Sequence, residues 1–110
     1  FPGGKVSSAF NGYFVLLSGG TGTGVTVTGA GTVLQASHYA AQGTVVVVQH
    51  SDNLISTYFC LQNTTIASGS HVEQGQVIGY PGGCPTYGED TMGYQVSVIE
   101  GGEPVYVNPL

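Results

Sequence analysis

The sequence predicts an all-β domain, and three observations carry the prediction. Apolar residues gather in short β-branched and aromatic runs with no helical spacing between them. The runs are separated by Gly, Asn, Ser or Pro, and nineteen glycines supply the positive-φ turns and close strand contacts that such a chain needs.

In order, strands are expected at residues 5–7 ("KVS"), 13–17 ("YFVLL") and 24–28 ("GVTVT"), each preceded by or opening on a glycine. "GTVLQAS" at 31–37 and "TVVVVQH" at 44–50 follow; the latter is a core run of strand length, far short of a membrane span. "LISTYFCL" at 54–61 returns after the turn residues Ser51, Asp52 and Asn53. "VIG" at 77–79, "YQVSVI" at 94–99 and "EPV" at 103–105 complete the set, the last two joined across Gly101 and Gly102. "TTIASGSHVEQGQVIGYPG", residues 64–82, interleaves Ile66, Val72, Val77 and Ile78 with Gly69, Gly75 and Gly79, and reads as a hammerhead turn at the edge of a barrel.

Residues 1–110 form a single domain, long enough to bury a core. Charged residues make up 6%, with Lys5 the sole base against six acids, so nucleic acid is excluded as a partner. Solubility must rest on uncharged polar side chains, a surface suited to protein contact. The chain has no initiator Met and no leader-like start, and is read as a fragment of a longer exported or membrane-anchored protein, touching a membrane only through an anchor further upstream.

Two look-alike motifs fail on chemistry. "GGTGTG" lacks the Lys-Ser/Thr and the helix that a phosphate loop requires. The hammerhead wording occurs in lipoyl and biotinyl carriers, but those need a lysine on an exposed hairpin, and Lys5 is the only lysine. No cofactor is expected.

From Gly31 onward, "GTVLQAS", "GTVVVVQHSDNLISTYFCLQ", "IASGSHVEQGQVIGYPG" and "GYQVSVIEGGEPVYVNP" follow the order of blocks in the LytM-type, M23 family of zinc peptidases, which cut peptidoglycan cross-links, and the chain resembles that family. The resemblance implies an antiparallel β-sheet sandwich, barrel-sandwich-like and built on a duplicated hybrid motif, with long loops around a groove. It also implies a zinc held by H-x-x-x-D and the second histidine of H-x-H, with catalytic histidines from T-x-Y-x-H-L and the first position of H-x-H. Here those positions are substituted. The early pair falls at Gly12 and Leu16, or one residue later at Tyr13 and Leu17; the strand histidine is Cys60; H-x-H is Gly93 and Gln95. No metal site and no peptidase activity are therefore expected. A site improvised from His38, His50, His71 and a cysteine would need long-range coincidence.

Cys84 lies in the loop that borders the vacated site in the family, so a Cys60–Cys84 disulfide across the former groove is expected, with two unrelated thiols as the other reading. The resemblance is nearest in style to non-catalytic sporulation proteins of the family. It implies an extracytoplasmic interaction module with an envelope or sporulation protein as partner, docking by exposed β-edges or the old groove through Tyr58, Tyr80, Tyr87 and Tyr94. Activation of cell-wall amidases and non-hydrolytic binding of peptidoglycan are the alternatives, the latter weakened by the lack of basic residues to pair with stem-peptide carboxylates.

Overall fold

The computed structural model describes residues 5–8, 14–18, 24–39, 43–62, 64, 66–84 and 91–107, and every described element is a strand. In chain order they are β1 (Lys5–Ser8), β2 (Val15–Ser18), β3 (Val25–Thr26), β4 (Gly31–Tyr39), β5 (Gly43–Ser51), β6 (Leu54–Leu61), β7 (His71–Val72), β8 (Val77–Gly79), β9 (Met92–Glu100) and β10 (Glu103–Val107). A large antiparallel sheet runs β1-β2-β9-β6-β5-β4-β7, with β10 beside β2 on the same side of β9; β3 and β8 form a small second sheet. This is the all-β, two-layer arrangement predicted. The expected strands lie within two residues of the observed ends wherever both can be compared. The addition is β7, two residues inside the hammerhead turn, paired with Gly31 and Thr32.

The core follows from the period-two pleat. Val46 and Val48 of β5, Tyr58 of β6, Met92 of β9 and Val33 of β4 turn to one face of the large sheet, where Val25, Val27, Val72 and Ile78 close over them, all with 2% exposure or less. Each such side chain contributes about 1.5–3 kcal/mol relative to exposure. Backbone bonds sew on the second layer: Val27 N–H to Gln76 O at 3.0 Å, Gly75 N–H to Val27 O at 2.9 Å, and Val33 N–H to Ser70 O at 2.8 Å.

A polar chain runs through this interface. His50 Nδ1 meets the carbonyl of Ala30 at 2.9 Å and its Nε2 meets Ser56 Oγ at 2.6 Å. Ser56 Oγ lies 2.9 Å from the Tyr58 hydroxyl, which accepts the Thr28 N–H at 3.1 Å and meets Thr28 Oγ1 at 3.0 Å; Thr28 Oγ1 in turn reaches the Tyr94 hydroxyl at 3.1 Å. Among the described residues no buried side-chain polar atom lacks a partner. The chain therefore fastens the loop after β3 to β5, β6 and β9 at no desolvation penalty.

Replacing His50 by Ala removes the link to Ala30 and one of the two partners of buried Ser56. It is expected to destabilise the domain by about 1–3 kcal/mol, read as a lowered urea midpoint; an unchanged midpoint would show that the chain carries no net stabilisation.

Candidate functional site

The degenerate positions are assembled by β2, β6 and β9. Leu16 lies opposite Gly93, and Gly93 opposite Phe59, so these three residues share the face of the large sheet that points away from the core. One step along, Gln95 lies opposite Thr57, and Thr57 opposite Val47, on the same face. Leu16, Gly93 and Gln95 are thus brought together; Gly12 and Tyr13 lie outside the described residues, and Leu17, opposite Met92, packs against the core.

Phe59 fills the space that any side chain at position 93 would need. A Cβ built on Gly93 would fall 2.1 Å from Phe59 Cζ, so the ring lies directly on the glycine backbone. Phe14 meets Phe59 edge-on, ring centroids 5.0 Å apart and planes at 71°. Leu16 has no donor, Gly93 no side chain, and Gln95 only a neutral amide. The residues present do not fit the catalytic zinc that the resemblance implies. Nor do the histidines converge: His38 pairs with Thr44 at 3.2 Å, His50 is held by Ala30 and Ser56, and His71 meets Glu73 at 2.8 Å on the surface. Among the described residues no three His, Cys, Asp or Glu side chains are grouped to hold a metal ion.

Cys60 sits at a β-bulge. The β5–β6 register shifts between Thr44 and Val46, and Cys60 takes a left-handed φ of 61°, which costs a non-glycine residue about 1–2 kcal/mol. The bulge turns Leu61 back to the core face, where it is fully buried. Cys60 and Cys84 form a disulfide, with S–S 2.09 Å and Cα atoms 4.8 Å apart. Backbone contacts surround it: Gly83 N–H donates to Cys60 O at 2.7 Å, and a Cβ on Gly83 would fall 1.9 Å from Leu61 O, so only glycine fits.

Two of the four tyrosines lie on the core face. Tyr58 and Tyr94 lie opposite one another on the core face, because Tyr94 stands between Gly93 and Gln95 in the pleat. Their rings pack at 5.3 Å, and Tyr58 is 1% exposed, so the expectation that Tyr58 contacts a partner is corrected: it is a core residue. Tyr94, half-buried, lines a small crevice with Leu17, Val25, Thr28 and Met92. Burial pushes its phenol above its ordinary pKa, partly offset by the Thr28 hydrogen bond. Tyr80 is 44% exposed, and Tyr87 lies outside the described residues. Sequence reasoning missed Phe59 as the occupant of the site; the one available signal was its position next to Tyr58, which places it on the opposite face.

The model of peptidase family M23 matches residues 11–107. The chain belongs to this family. Stage II sporulation protein Q of Bacillus subtilis is 37% identical over 81 residues, 74% of this chain and 28% of that protein. The peptidoglycan DD-endopeptidase ShyC of Vibrio cholerae is 37% identical over 62 residues, 56% of this chain and 14% of that enzyme. The chain thus spans less than a third of the length of either relative. A solved complex of SpoIIIAH and SpoIIQ shares the fold, with a TM-score of 0.74 at 21% identity, the match covering 98% of this chain and 91% of the other.

Two measurements check this geometry. Substituting both cysteines by Ser is expected to lower stability by about 3 kcal/mol, from a loop whose ends are 24 residues apart; equal urea midpoints with and without reductant would contradict it. Gly93→Ala is expected to cost roughly 1–3 kcal/mol by displacing the Phe59 ring, and the added cost should shrink in a Phe59→Ala background; strictly additive effects would mean that ring and glycine do not compete.

Proposed function

We propose that this domain is a non-catalytic M23 module that works outside the cytoplasmic membrane by binding another protein. The single observation that carries the reading is the Phe59 ring seated on Gly93, which occupies the place of a catalytic side chain with hydrocarbon. Leu16, Gln95 and the disulfide-bonded Cys60 complete a set of residues with no general base and no ligand cluster. A zinc hydrolase needs both. The disulfide also supports an oxidising compartment, as expected for an extracytoplasmic domain, with the full-length protein anchored in the membrane.

Similarity to stage II sporulation protein Q, and the shared fold with SpoIIQ in its complex with SpoIIIAH, support a sporulation protein as the partner. Peptidoglycan binding ranks lower. Leu16, Phe59, Thr57 and Gln95, which share the outer face, include no cation to pair with stem-peptide carboxylates.

Purified domain, supplied with zinc and incubated with sacculi, is expected to release no soluble muropeptide and to remain in the supernatant at moderate salt. Release of muropeptides would defeat the non-catalytic reading. Retention on the sacculi would move the function to wall binding.

A further inference from the structure

We infer that the core face of the large sheet, beyond the cover of the small sheet, is a docking surface for a partner segment with an apolar centre bordered by lysine or arginine. The inference rests on the protein-interaction reading above and adds where the contact lies and what it recognises. Leu54 of β6 lies opposite Val98 of β9, and Val98 opposite Val105 of β10, so the three form one cross-strand row on a single face. It is the same face that carries Tyr58 and Tyr94 under β3, but here Leu54 is 38% exposed and Val105 40% exposed.

The next row along that face is acidic. Glu100 lies opposite Glu103, each two residues from Val98 or Val105 and therefore on their side of the sheet. Asp52, in the β5–β6 turn, stands at the same end, because Ile99 N–H donates to Asn53 O at 2.8 Å and ties the two hairpin tips together. All three acids are exposed. Lys5, the only Lys or Arg in the chain, pairs with Ser18 beyond the Met92 end of β9, the opposite end of the sheet. Three of the six carboxylates thus stand beside the apolar row, while the strand that bears the only Lys or Arg pairs at the opposite end of the sheet.

This arrangement of charge selects the occupant. A second copy carries the same net charge of −5 and the same glutamates, and an anionic membrane surface would be repelled alike. A basic-rimmed apolar segment gains on both counts. It would dock on the face and not add a strand to the edge of β10. Gly101 and Gly102, with φ of 59° and 81°, make a tight two-residue turn that sets Glu100 and Glu103 as a hydrogen-bonded pair. Pro104 then falls at an outward position, where its missing N–H blunts the edge.

The test uses the full-length protein in the cells that make it, with a photo-crosslinking p-benzoylphenylalanine at Val105 or, separately, at Gln95. The expected result is a Val105 crosslink to another protein, mapped by mass spectrometry to a segment in which Lys or Arg flanks apolar residues. Glu100→Gln with Glu103→Gln should lower its yield roughly tenfold, about 1.4 kcal/mol from two rim charges, while circular dichroism stays unchanged. Crosslinks from Gln95 alone would overturn this surface and leave the interaction reading standing. So would a Val105 crosslink to a second copy, or one indifferent to the glutamates. Crosslinks from neither position would remove both the surface and the interaction reading.

Discussion

The pairing of β6 with β9 is the constraint on which the rest of the structure depends. Its register sets Tyr58 against Tyr94 and Phe59 against Gly93, and the pleat sends the two pairs to opposite faces. On the inner face the tyrosine rings meet at 5.3 Å and their hydroxyls join Thr28, Ser56 and His50 in one polar chain. On the outer face the Phe59 ring covers a glycine that no larger residue can replace without moving it. A slip of one residue would bury Phe59 where hydroxyl partners wait and expose the tyrosines, so core and site specify the same register.

The outer face is packed with hydrocarbon where β2, β6 and β9 meet at Gly93. A catalytic metal centre demands donors on several strands and tolerates their desolvation only because the metal compensates it. In this chain the same strands carry leucine, glycine, phenylalanine and glutamine, which pack or hydrogen-bond without a metal. The sulfur at Cys60 is joined to Cys84, a covalent fastening between the end of β6 and the segment after β8.

Much of the strand order was legible because the punctuation is local. Glycine, proline, asparagine and serine punctuate the runs, and "VVVV" with its flanks has the length and β-branched content of a buried strand. Residue identity was legible too: Gly93 can offer no side chain whatever its surroundings. Less legible were β7, whose two residues gain strand character only from pairing with β4, and the bulge at Cys60, which a straight reading of "TYFCL" passes over. That bulge shifts the facing of Leu61 and leaves Cys60 in a left-handed conformation.

What the sequence by itself determined is the all-β class and the kinship to a peptidase family, because these depend on composition, spacing and identity. Only the tertiary structure decided which aromatics are core and which are surface, that the Phe59 ring covers Gly93, and that Leu54, Val98 and Val105 form a row beside Glu100 and Glu103. Those facts belong to strand register and sheet layering. They arise from cross-strand pairings such as Phe59 with Gly93, 34 positions apart, and Leu54 with Val98, 44 positions apart, and no local pattern encodes them.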